Sequence, residues 1–501
     1  MPQQKKKIKQ EEYKINFVDK IIDPVHGFID VTEVESKIIE LPIFKRQQNL
    51  KQLSLTNWVF PGAEHTRYIH SLGVMYIADE MAKNLRRTTG ELVFNDGQRQ
   101  LLRLAGLLHD IGHYPLSHIT ESAYMDNLLE GEKTFSDLNK KTLNSIKEAF
   151  GRKTGKEKRG VKFHHEEIGK EVIGSDKQIK RIIEEYCPFI KIEDIQDIII
   201  GNCEGKPHLS AMVQLMHSEL DADGIDYIMR DATFSGTSYG DFEFGRLLRC
   251  LTVSSYNGVD IVGVTPKGIA IVDQYLVNKY FSYTQVILNR HVTILNEMAK
   301  IYVKGLIESG DNAFVDGKKL LTSIHKHDKN SNYLKFTDYS FWNKVNYPPD
   351  KNIQVFMQEI YKKLQNYQEF DMTPNGEFVI SSTNKDAAYN DLIGSEIYKR
   401  LETNSQDAES TYLYTYVNRS VTKEVPQHVL RQRVESTMKD TATDEEKEEK
   451  FRKHNISRLQ EGIVVIDMND DENIKLLVDD SRSVISHIYG LATHMLREYK
   501  I

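Results

Sequence analysis

Between Asp96 and His113 the chain reads DGQRQLLRLAGLLHDIGH, an apolar helical repeat that runs directly into a His–Asp pair. Leu101, Leu104, Ala105, Leu107 and Leu108 fall at helical spacing. The segment therefore predicts a buried helix, with Asp96 as its N-cap and Gly112 as its stop. A polar pair such as His109–Asp110 is badly placed there if its only task is packing. Its side chains are instead hard-to-borderline metal ligands. An isolated HD dipeptide has little diagnostic weight, because surface pairs and hydrogen-bonded core histidines supply the same letters.

The rest of the sequence gives that helix company. Helical patterns are expected over 66–86, 165–182 and 211–231, with a polar, basic loop or insertion at 131–162. The run VDIVGVTPKGIAIVDQ predicts a β-hairpin around Pro266-Lys267-Gly268, followed by a long helix over about 274–308. Further helical pieces are expected at 351–366 and 386–402. LQEGIVVIDM and NIKLLVDD predict two strands, and a final helix should begin near 482. The expected class is mainly α, a helical core with a small β-hairpin and an α+β C-terminal region. At 501 residues the chain suggests two to four packed units. We read them as a tail (1–20), a core (21–310), a mostly helical lobe (311–436), a charged segment or linker (437–456) and an α+β region (457–501).

Composition excludes several function classes. No run of about 18 apolar residues exists, so no membrane span is expected. The basic start, MPQQKKKIKQ, lacks the apolar core of a secretion signal. A net charge of −7 does not advertise nucleic-acid binding, and the basic stretch at 151–162 reads as a solvated loop. Cys187, Cys203 and Cys250 are far apart, which argues against a disulfide scaffold or a cysteine zinc site. A cytoplasmic location is expected.

Four segments carry the chemistry: HTRYIH at 65–70, HDIGHYPLSH at 109–118, FHHEE at 163–167, and DADGIDYIMRD at 221–231. The last puts four aspartates and an arginine along about three helical turns. Burying so many acids without a cation is costly. A metal held by two histidines and two aspartates would relieve that cost, acidify water and polarise a phosphoryl oxygen.

These segments, with DPVHGFIDV, LPIFKRQQNLKQL and VFPGAEHTRYIHSLGV before them, resemble the HD-domain phosphohydrolases, in particular their deoxynucleoside triphosphate triphosphohydrolase branch. The likeness covers about the first three-fifths of the chain. It implies a divalent metal (Mn, Fe, Mg, Zn or Co) on His70, His109, Asp110 and Asp223, with His65 as the competing ligand of the first motif. Arg67 matches a phosphate-binding arginine. His113 and His165 match catalytic histidines, His118 a phosphate-facing one, and Glu121 stands where the branch has an aspartate that orients a histidine. Gln52 and Asp231 match contacts to a sugar 3′ hydroxyl. Tyr227 matches an aromatic beneath the sugar, though core packing explains it equally well. The implied substrate is a deoxynucleoside triphosphate, and the implied assembly a homodimer or homotetramer. Two other readings stay open: hydrolysis of another nucleotide or phosphoester, and a nucleotide-sensing assembly protein with little turnover.

Some positions depart from the branch. Gly224 replaces a phosphate-binding lysine, and Thr284 and Val292 replace an arginine and a tyrosine. Glu40, Lys45 and Gln48 stand where guanine-reading residues lie, so no guanine-triphosphate switch of that kind is expected.

Overall fold

A computed structural model describes residues 10–125, 134–151, 163–325, 332–347, 355–366, 371–436, 443–467 and 474–501. Helices dominate it, as expected. The apolar repeat forms the Asp96–Leu108 helix, but its cap is Asn95. Asn95 Oδ1 accepts from Gln98 N at 2.9 Å, and Gln98 Oε1 accepts from Asn95 N at 3.0 Å, closing a capping box. Asp96 becomes the first helical residue, where a carboxylate meets the positive end of the helix dipole. All five of the apolar residues named above are buried.

This helix packs along the Arg67–Asn84 helix. Gly106 permits the close crossing, since a Cβ there would lie 3.1 Å from Met75 Cα. Gly112 is not the helix stop, because the helix has ended at Leu108. A Cβ at 112 would collide with the His165 carbonyl and Gly169 N, so glycine there lets the His165–Ser175 helix approach the HD turn.

Several predicted elements are broken in ways the capping residues explain. The 165–182 pattern is two helices, His165–Ser175 and Lys177–Tyr186, joined at Asp176, whose carboxylate caps Gln178 N and Ile179 N. The 211–231 pattern divides into Ser210–His217 and Ala222–Ser235. There Asp221 Oδ1 accepts from Gly224 N at 2.7 Å and starts the second helix. The expected loop at 131–162 contains a helix, Phe135–Ala149, and most of its basic end lies outside the described residues.

Among the described residues ten strands form three sheets: β1 (Phe17–Asp23), β2 (Gly27–Thr32), β3 (Arg86–Arg87), β4 (Leu251–Tyr256), β5 (Val259–Val264), β6 (Gly376–Ser382), β7 (Tyr412–Ser420), β8 (Val464–Ile466), β9 (Ile474–Leu476) and β10 (Ala492–Lys500). β1 and β2 form a hairpin, the second sheet runs β3-β4-β5-β8-β9, and the third β6-β10-β7. The predicted hairpin at Pro266-Lys267-Gly268 is misplaced. Its turn is Asn257-Gly258, both left-handed at φ +50° and +80°, and it joins β4 to β5. Pro266-Lys267-Gly268 instead opens the Ile269–Phe281 helix.

The expected long helix is interrupted by a π-helical segment, Ser282–Ile287, before Arg290–Glu308. In place of the final helix expected from about 482 stand the short helix Ile485–Ile488 and then β10. Asp444–Glu461 resolves part of the charged segment as a helix, while 437–442 lie outside the described residues. Among the described residues no helix is long and apolar enough to cross a membrane.

Candidate metal centre and its surroundings

Three helix ends meet at the HD pair. His70 lies in the first turn of the Arg67–Asn84 helix, His109 and Asp110 directly follow Leu108, and Asp223 sits in the first turn of Ala222–Ser235. Ligand atoms of His70, His109 and Asp110 all fall within 4.8 Å of one another. Asp223 Oδ1 lies 2.9 Å from His70 Nε2 and 3.7 Å from His109 Nε2. Both Nε2 atoms are buried and have no hydrogen-bond partner. The 2.9 Å approach of Asp223 to His70 lies off the line of a hydrogen bond, as expected when both atoms aim at a third point.

The other ring nitrogens are fixed from behind. His109 Nδ1 donates to Gly106 O at 2.8 Å, and His70 Nδ1 to Asp226 Oδ2 at 2.7 Å. Each histidine thus presents Nε2 to the centre. Burial works against charge on His70, yet the Asp223 and Asp226 carboxylates outweigh it and lift the imidazole to about 10. Burial would likewise raise Asp110, but Arg67 and the surrounding histidines hold it far below the carboxylate range. For Asp223 His70 outweighs burial and draws it down to about 2. These acids demand positive charge at the centre of the cluster. Two orphaned imidazole nitrogens and two carboxylates are a donor set that fits a divalent cation.

Beside this cluster lies a second, richer in histidine. His113, His118 and His165 are grouped, and Glu121 joins two of them. Its carboxylate accepts from His118 Nδ1 at 2.5 Å and from His165 Nδ1 at 2.9 Å and backbone N at 2.8 Å. Burial alone would raise Glu121, but the two histidine hydrogen bonds hold it well below its usual range. His113 and His165 stack with ring centres 4.1 Å apart, and burial pushes both imidazoles toward the neutral form. Neither nitrogen of His113 has a partner.

The turn carrying these histidines is bent by Leu116 and Ser117, left-handed at φ +53° and +51°. Such conformations cost about 1–3 kcal/mol each and persist only where neighbours hold them. Here Asp338 Oδ1 accepts from Leu116 N at 2.7 Å, Ser54 Oγ donates to Leu116 O at 2.8 Å, and Ser117 Oγ accepts from Arg67 Nε at 2.8 Å.

The remaining predicted residues divide. Arg67 is buried against Asp110, with its guanidinium bonded to that carboxylate. Asp231 is buried and paired with His65 Nε2 at 2.8 Å, so His65 is turned away from the metal position. Gln52 is buried beside Arg67, and its Oε1 is unpartnered. Tyr227 stands one turn beyond Asp223, edge-on to Tyr283 with centres 6.4 Å apart. Thr284 bonds back to its own helix at Tyr280 O, and Val292 is core, so neither faces the site. A side chain at Gly224 would run into the Tyr275 hydroxyl.

Asp226 is not among the residues the sequence marks out as ligands. It does bind Arg230, but it also holds His70 Nδ1 and, at 2.5 Å, His26 Nε2. Its position three residues after Asp223, on the same helical face, was the available signal. Asp226→Asn should weaken metal binding by about 10–100-fold, as loss of a histidine-orienting carboxylate does. Competition against a fluorescent chelator measures this, and unchanged affinity would remove Asp226 from the centre.

Residues 67–216 match the profile of the family described as HD domain. The matched stretch is the one that holds His70, His109 and Asp110. It is similar to an uncharacterised protein of Methanocaldococcus jannaschii, 28% identical over 359 residues, or 71% of this chain and 61% of that protein. It also resembles the deoxynucleoside triphosphate triphosphohydrolase SAMHD1 of Gallus gallus, 30% identical over 237 residues, or 45% of this chain and 35% of that protein. The chain thus spans under two thirds of the length of either relative. Among solved structures it shares its fold with a hypothetical protein from Aquifex aeolicus (TM-score 0.60, 22% identity, 96% of each chain covered). A phosphohydrolase from Bacteroides thetaiotaomicron has the same fold (TM-score 0.57, 21% identity, 96% of this chain and 100% of that one).

Proposed function

We propose that the protein hydrolyses deoxynucleoside triphosphates to deoxynucleoside and triphosphate at this centre. The observation that carries the reading is the adjacency of the four-donor cluster to the His113–His165–Glu121 group, with Tyr227 one helical turn from Asp223. His70, His109, Asp110 and Asp223 would hold a divalent cation, which supplies Lewis acidity toward water and a phosphoryl oxygen. Arg67, fixed by Asp110 and Ser117, offsets charge building on the phosphoryl oxygens. His165 is oriented by Glu121 and kept uncharged by burial, and with His113 it moves a proton toward the departing 5′ oxygen. Water adds its oxygen to the α-phosphorus, and its proton ends on that 5′ oxygen.

Gly224 favours a second reading, in which the same centre acts on a simpler phosphoester, since position 224 itself has no room for a lysine side chain. Product analysis of manganese-loaded protein with each of the four deoxynucleoside triphosphates decides between them. Deoxynucleoside plus triphosphate is the expected outcome. GTP should leave the rate unchanged, because Glu40, Lys45 and Gln48 replace the guanine-reading residues of the branch the sequence resembles. Intact nucleotides throughout, with turnover of a simple phosphoester, would establish the second reading. Tight nucleotide binding without any product would point to a sensing protein.

A further inference from the structure

We infer that Lys279 and Arg419 form a seat for the β- and γ-phosphates of the substrate on the Tyr227 side of the centre. This rests on the nucleotide reading above and adds residues that the sequence motifs do not contain. Lys279 lies in the Ile269–Phe281 helix and Arg419 in β7, so two distant stretches of chain converge here. Lys279 Nζ lies 5.8 Å from the centre of the Tyr227 ring and 5.5 Å from that of Tyr275. The Arg419 guanidinium lies 3.5 Å over the ring of Tyr283, which itself meets Tyr227 edge-on.

Neither cation forms an ion pair among the described residues, although the Asp221 carboxylate lies near enough to Lys279 to feel its charge. Arg67 is paired with Asp110, Arg103 with Glu35 and Asp79, Arg230 with Asp23 and Asp226, and Arg497 with Glu377. Among the described residues no carboxylate lies within 4 Å of Lys279 or Arg419. Lys279 has a 3.3 Å bond to Glu219 O, a weak partner for an ammonium. Arg419 Nε is buried with no partner at all. A guanidinium with an unused buried donor is expensive to keep unless something supplies the acceptor.

Gly224 explains how Lys279 reaches this place. Its Nζ lies 3.7 Å from where a Cβ at 224 would stand, directly over the helical turn that follows Asp223. Gly224, Tyr227 and Asp231 recur at three- and four-residue spacing and so share one face of their helix. An ammonium at the Asp223 end of that face and a guanidinium beyond Tyr283 suit a flexible polyanion whose first phosphorus sits at the metal.

The test uses full-length, manganese-loaded protein in a titration calorimeter, with tripolyphosphate already saturated with manganese and, separately, deoxyguanosine. Lys279→Gln and Arg419→Gln should each weaken tripolyphosphate binding about tenfold, the usual consequence of losing one charge-assisted contact. Lys279→Arg, which keeps the charge, should stay within about threefold of wild type, and deoxyguanosine affinity within about twofold in every variant. Unchanged tripolyphosphate affinity in the double glutamine variant would overturn the inference. Equal weakening of deoxyguanosine would overturn it too, by making the two residues merely structural. If the wild type binds tripolyphosphate through these residues yet hydrolyses no deoxynucleoside triphosphate, the proposed activity fails and the seat stands. If it hydrolyses them and the double variant binds normally, the reverse holds.

Discussion

Asp110→Ala should release the bound divalent metal and lower phosphohydrolase turnover by about 10³-fold or more, the scale of several kcal/mol of lost charge stabilisation. Asp110 is the hinge of the arrangement. One oxygen lies 3.3 Å from His109 Nε2, 3.8 Å from His113 Nε2 and 4.0 Å from His165 Nε2, and the other binds Arg67. Its removal therefore takes away a metal donor and frees the arginine in one step. Elemental analysis of the purified variant reads the first effect and product formation the second. Circular dichroism should show the helices intact, because Asp110 lies beyond the end of the Asp96–Leu108 helix. Full turnover in variant protein verified to be metal-free would sink the mechanism.

Arg103→Met should cost the fold about 3–5 kcal/mol, the usual penalty for removing one partner of a buried ion group. Arg103 reaches Glu35 and Asp79 at 2.7 and 2.8 Å with side-chain exposures of 2%, 0% and 1%, and its guanidinium also donates to Asp30 O at 2.7 Å. Methionine fills the volume, strands Glu35 and leaves Asp79 to Lys83 and Arg99. Denaturant unfolding at neutral pH measures the loss, and a change under about 1 kcal/mol would mean that water reaches the acids. The pH dependence has a definite sign. Burial would raise Asp79, but Arg103, Lys83 and Arg99 together hold it below its ordinary value. Its contribution to wild-type stability is thus complete above the unfolded carboxylate pKa of about 3.9 and is lost as pH falls through the lower folded value. Without Arg103 the folded-state value of Asp79 is held down only by Lys83 and Arg99 and so lies closer to the ordinary one. The deficit of the variant should therefore shrink on acidification.

The gathering of His70, His109, Asp110 and Asp223 was legible in the sequence because these residues sit at helix ends, which apolar periodicity locates well. Leu101–Leu108 placed His109 and Asp110 at a terminus, and the Arg67–Asn84 and Ala222–Ser235 helices presented His70 and Asp223 in their first turns. Even there the cap was misjudged by one residue, since Asn95 and Asp96 are both good caps and only the reciprocal bond with Gln98 selects between them. The misplaced hairpin has a similar cause. Pro266-Lys267-Gly268 carries turn residues that serve equally to begin a helix, whereas Asn257-Gly258 lay at the edge of the run considered. Asp226, Lys279 and Arg419 were illegible for another reason. Their meaning depends on what tertiary packing sets beside them: the back of His70 for the first, the Tyr227 neighbourhood for the others.

β10 lies between β6 and β7, pairing antiparallel with each over most of its length, yet it comes last of the three along the chain. During synthesis, then, β6 and β7 leave the ribosome with no strand to join them. Tyr414 and Leu496, buried in this part of the molecule, cannot meet until the strand from Ala492 to Lys500 has emerged. The four-donor cluster around His109 needs no such wait, since the helices that carry its side chains are complete by Ser235. The wall that carries Arg419 should therefore be the late-maturing part of the molecule, and the stage most exposed to stray strand pairing in a crowded cell.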